Sequence, residues 1–141
     1  MAGDFSSMFR SILARDAGTD AEAADVAGAA WRTCERLARH LTPLIGESGF
    51  ATVYARSLDV AQRQFPQLES VRAAEPSEGA FDPLHRFLAH QPPAAATEAA
   101  VALFSTLAEL LTSLIGEQLT LGLLHEAWPG HFADGQEKST A

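Results

Sequence analysis

A chain of 141 residues, 47% apolar and 20% charged, is long enough to bury one core and too apolar to stay disordered. A formal net charge of −8 sets it against phosphate backbones and anionic bilayers, so nucleic acid and membrane are poor partners on charge alone. Cys34 is the sole cysteine, which excludes an intramolecular disulfide and a cysteine-rich zinc site.

The opening stretch, MAGDFSSMFRSILARD, places Asp4 where a signal peptide carries positive charge, and its apolar residues are spaced rather than continuous. Phe5, Met8, Phe9, Ile12 and Leu13 instead recur at helical spacing and predict a helix over 4–15. After a break, Thr19 with Glu22 reads as a capping box. Ala27, Ala30, Trp31, Cys34, Leu37, Ala38 and Leu41 then make one apolar stripe, with Arg32, Arg36 and Arg39 on the opposite face. Thr42-Pro43 reads as the start of a new helical turn. Phe50, Val53, Tyr54, Ser57, Leu58, Ala61 and Phe65 continue on a helical face until Pro66, so the first unit spans 20–66.

The polar residues 67–80, with Pro76 and Gly79, read as a connection. Asp82-Pro83 starts a short helix that runs to about His90, before Pro92-Pro93. A second unit spans 93–128. Its first helix carries Val101, Phe104, Leu107, Leu110, Leu111, Leu114 and Ile115; Leu119, Leu123, Leu124, Ala127 and Trp128 follow. The run Val101 to Gly116 is short for a membrane span and carries Glu109. Residues 130–141 read as a loose tail. The expected location is the cytoplasm, and the arginine-for-lysine and alanine bias suggests a GC-rich bacterial genome.

LTPLIGE at 41–47 recurs as LTSLIGE at 111–117, with six of seven letters identical at an offset of 70. A straight helix over 97–128 would span about 48 Å, whereas a compact domain of this length has a radius of gyration of about 14 Å. The chain must therefore turn, and Gly46 and Gly116 are the residues that permit it. Leu37, Ala38, Val53, Tyr54 and Leu58 match Leu107, Ala108, Leu123, Leu124 and Trp128 at the same offset. The expected fold is an all-α, single-domain bundle of five or six helices with a pseudo-two-fold internal repeat. Ser113 replaces Pro43, and Gln118-Leu119 replaces Ser48-Gly49, so the first bend should be the sharper. The paired LTxLIGE segments and the apolar helices after them, roughly two thirds of the chain, resemble small all-helical proteobacterial proteins, some associated with signalling proteins. That resemblance implies a regulatory role and carries over no catalytic residue.

Glu47 and Glu117 occupy matching positions, where a two-fold arrangement could pair two carboxylates. No histidine stands at the Glu-x-x-His spacing of di-metal bundles, so helix starts are the simpler role. His85/His90 and His125/His131 are spaced five and six apart, which suits no helical metal pair. A haem ligand is conceivable at His40, His85, His90 or His125, but no spacing selects one. His40 lacks the lysine and glycine that follow a phosphotransfer histidine. Cys34, on the apolar stripe, reads as a small buried hydrophobe. No phosphate loop, G-x-S-x-G, Cys-x-x-Cys or H-E-x-x-H is present.

The residues therefore point to a protein-interaction module, an adaptor or regulator with no cofactor, and show no constellation that reads as an active site, which leaves an enzyme as the third reading. Arg32, Arg36 and Arg39 would bind an acidic partner, since guanidinium groups make planar two-pronged pairs with carboxylates. The alternative is a sensor holding a small apolar ligand or haem between helices. The N-terminal helix, unexplained by the repeat, could mediate a weak homodimer.

Overall fold

A computed structural model describes residues 2–72 and 81–129, with side chains from Phe5 onward. Six α-helices and no strand occur among them: α1 Ala2–Ala17, α2 Ala23–Ala61, α3 Glu69–Arg72, α4 Asp82–Ala89, α5 Pro93–Ile115 and α6 Glu117–Ala127. The expected loose tail, His131 and residues 73–80 of the connection lie outside the described residues.

The centre is the pair α2 and α5. Their buried faces are rich in small side chains, with Ala27, Ala29, Ala30 and Cys34 on one and Ala96, Ala99, Ala100 and Ala108 on the other. Leu37, Leu41, Leu103, Phe104, Leu107 and Leu111 fill the same core. Two hydroxyls buried along α2 are satisfied within their own turns, so they demand no partner across the core. Thr33 donates to the Ala29 carbonyl at 2.9 Å and Ser57 to the Val53 carbonyl at 2.7 Å. By length and composition α5 could cross a bilayer, but here it is a core helix covered by α1, α2, α4 and α6.

Helix α1 lies antiparallel to α5. Ser6 Oγ is 3.1 Å from Ser105 Oγ, and Arg10 makes a two-pronged pair with Glu98. Phe5, Met8, Phe9, Ile12 and Leu13 are all buried, so the apolar face seen in the sequence is spent on the chain's own core. Helix α4 packs on α2, burying Leu84 and Leu88. Phe81, Phe50 and Tyr54 form an aromatic trio with centroids 5.3–6.2 Å apart. The Tyr54 hydroxyl is buried there without a hydrogen-bond partner, and burial pushes its pKa up.

Both LIGE glycines bend the chain. Gly46 has φ 83°, ψ 165° and Gly116 has φ 94°, ψ 159°, a region that only glycine occupies at low cost. The bend is therefore a reversal in mirror-image extended geometry rather than the left-handed helix cap that glycine most often supplies. The torsions nearly coincide, so Pro43 does not give the first glycine a different hinge. After Gly46 the chain folds back far enough to bring Tyr54 near Cys34. After Gly116 it folds back to stack Trp128 edge-on to Phe9, which in turn packs on Phe104.

Three local expectations are corrected. Thr19 is exposed in the turn before α2 and caps nothing; α2 starts after Glu22, whose N–H donates to Asp25 Oδ2 at 2.9 Å. Thr42-Pro43 does not start a helix, because Pro43 lies inside α2 one turn before the bend. The connection is not wholly polar loop either: 66–72 form a 3₁₀ turn and α3, anchored by buried Leu68 and Val71.

Candidate functional site, an arginine-lined hollow

The short break at 18–22 returns the chain on itself, so the last turn of α1 lies beside the middle of α2's first limb. The end of α6 closes the third side. Between them is a hollow of about 310 Å³ lined by Ile12, Arg15, Asp16, Arg32, Thr33, Arg36, Trp128 and Pro129. Among the described residues that line it are three arginines and one aspartate, in a chain whose overall charge is −8.

Each arginine is held differently. Arg32 Nε donates to Asp16 Oδ2 at 2.8 Å, an exposed pair worth about 0–1 kcal/mol. Arg36 Nη1 donates to the Ala127 carbonyl at 3.1 Å, and its guanidinium carbon lies 5.8 Å from the centre of the Trp128 ring. A cation here meets both the negative end of α6 and the face of an aromatic ring. Arg39 is exposed farther along α2 and does not line the hollow. The structure thus gathers two of the three arginines named from the sequence and leaves the third outside.

Arg15 is the residue that sequence reasoning missed. Helical spacing within α2 groups Arg32, Arg36 and Arg39, but it carries no information about a neighbouring helix. The available signal was the brevity of the break after α1, which forces its basic last turn back against α2.

The hollow offers binding groups. Among the described lining residues the one hydroxyl, on Thr33, is buried and already donates to Ala29. The charged rim over Ile12 and Trp128 suits a carboxylate attached to an apolar stem, with guanidinium forks supplying direction and the floor supplying contact area.

The remaining candidates stay apart. Among the described residues no three His, Cys, Asp or Glu side chains gather closely enough to hold a metal ion. His40 Nδ1 is 3.0 Å from the Arg36 carbonyl and His90 Nδ1 is 2.8 Å from the Arg86 carbonyl, each within its own helix. Cys34 is fully buried, and burial pushes its thiol well above the ordinary range, which suits packing rather than reactivity. Glu47 and Glu117 are both exposed at the bends.

Comparison with protein-family models, with known proteins and with solved structures finds no match to this chain.

Proposed function

We propose that the chain is a protein-interaction module, a cytoplasmic adaptor or regulator in bacterial signalling, whose arginine hollow receives an acidic side chain of a partner protein. The observation that carries this reading is the convergence of Arg15, Arg32 and Arg36, together with Asp16, on one apolar-floored hollow. An overall acidic chain that concentrates positive charge at one concave place has a local preference for carboxylates opposite to its average field.

Affinity capture with the wild-type chain, Arg32→Glu and Arg39→Glu, followed by mass spectrometry, tests it. The expected result is an acidic partner that wild type and Arg39→Glu retain and Arg32→Glu loses, with circular dichroism unchanged in all three. Equal capture by all three proteins would refute the hollow as the docking site. A protein that purifies coloured, with haem or another bound chromophore, would instead support the sensor reading.

A further inference from the structure

The two bends lie at the same end of the bundle. Arg36, ten residues before Gly46, bonds the carbonyl of Ala127, eleven residues after Gly116. Farther from the bends, Gln64 and Phe65, eighteen and nineteen residues after Gly46, share a hollow with Glu98, Val101 and Ala102, fourteen to eighteen residues before Gly116. Two such matched levels mean that the folded-back halves run side by side in the same direction, with both LIGE turns at one tip.

That tip is where the large exposed apolar side chains collect. Leu44 is 49% exposed, Leu114 66%, Leu119 55% and Leu121 39%, and all four lie within five residues of a bend glycine. Leu44 and Leu114 hold the same place in the two copies of the motif. The charge around them has one sign. From Leu41 to Ala55 the only charged residue is Glu47, and from Leu103 to Pro129 there is no lysine or arginine at all. Glu47 and Glu117, each directly after its glycine, stand exposed beside the leucines.

A leucine surface edged by carboxylates, built from stretches 41–55 and 103–129 that hold no lysine or arginine, disfavours two occupants on electrostatic grounds. A second copy docking tip to tip would bring the Glu47 and Glu117 pairs of both molecules together, and an anionic bilayer would meet like charge. An amphipathic helix with leucine-like residues on one face and lysine or arginine along its borders meets both requirements at once. We infer that the bend end is a docking surface for a basic amphipathic helix of a partner protein. It is separate from the arginine hollow and opposite to it in charge preference.

The probe is a fluorescent synthetic helix of about 18 residues containing only leucine and lysine, with leucines at 3.6-residue periodicity on one face. Its control has the same composition in scrambled order. The full-length chain is expected to bind the amphipathic peptide at least roughly tenfold more tightly than the scrambled one. Leu114→Ser with Leu119→Ser should remove that preference, and both sites are exposed enough for the fold to persist, as circular dichroism will check. Glu47→Gln with Glu117→Gln should weaken binding and flatten its dependence on salt, whereas Arg32→Ala should leave it unchanged. Equal binding of both peptides, or binding indifferent to the leucine substitutions, would overturn the inference. So would leucine-dependent self-association in sedimentation, or leucine-dependent binding to phosphatidylcholine vesicles without peptide preference.

Discussion

The Arg36 guanidinium clamps the end of α6 to the first limb of α2, donating to the Ala127 carbonyl at 3.1 Å while lying against the Trp128 ring. Part of the arginine face that the sequence pointed to as a partner-binding surface is therefore also a tertiary fastener. Arg36→Ala should lower stability by about 1–2 kcal/mol, because a helix-end carbonyl loses its cation and the ring loses its cover. Arg39→Ala, a change at an exposed site, should stay within about 0.5 kcal/mol. Chemical denaturation of both variants measures the contrast, and equal effects would remove the fastening role.

Glycine substitutions should split by backbone angle. Gly116→Ala and Gly46→Ala should each cost about 1–3 kcal/mol. A Cβ at either site would meet nothing within 4 Å, so the penalty is conformational strain and not crowding. Gly122, inside α6 and equally uncrowded, is the internal control. Gly122→Ala should stabilise by about 0.5–1 kcal/mol, since alanine loses less backbone entropy in a helix. Thermal melts of the three variants give the order directly.

Phe9 is fully buried, 5.5 Å from the Phe104 centroid and 6.0 Å from that of Trp128. Phe9→Ala should cost about 3–5 kcal/mol. The apolar face of α1 is buried within the chain, so a weak homodimer through α1 would require the helix to exchange between two copies. Sedimentation should therefore report the same mass for wild type and variant. A mass halved by the substitution would show α1 exchanging between two copies.

The Arg10–Glu98 pair joins α1 to α5, and Arg10 holds the Glu98 carboxyl below its ordinary range. A carboxyl whose folded pKa is depressed contributes stability above its unfolded pKa, and that contribution fades as pH falls through the folded value. Both side chains are about half exposed, so solvent screening keeps the effect small. The stability gap between wild type and Glu98→Gln should be present at neutral pH and close below the normal carboxylate range. A gap that persists at low pH would assign it to something other than the ion pair.

The parts of this fold legible in the sequence are those governed by local spacing. Apolar periodicity located α1, α5 and α6, the Asp82-Pro83 start located α4, and the length of the 97–128 run required a turn at Gly116. The buried face of Cys34, Leu37 and Leu41 followed from the same periodicity. What stayed hidden depends on contacts between distant segments. Leu68 and Val71 sit in a stretch too polar and short to show a period, and only the helices above them make them core. Arg15 joins Arg32 and Arg36 through the packing of α1 on α2. Pro43 passed for a helix start because proline in a first turn gives up no hydrogen bond, whereas inside α2 it removes the N–H that would bond back to the Arg39 carbonyl.

The pairing of α1 with α5 sets an order of events during synthesis. Ser6 meets Ser105 and Arg10 meets Glu98, so the partner of the first helix is made 99 and 88 residues later. At about 5–20 residues per second, the face of Phe5, Met8, Phe9, Ile12 and Leu13 waits roughly 5–20 seconds for α5 to be translated, and longer for it to clear the ribosome. The first hairpin of α2 can close in that interval, since Cys34 and Tyr54 are only twenty residues apart. Nascent chains halted before residue 93 should therefore display an uncovered α1 to chaperones, and chains released beyond Trp128 should not.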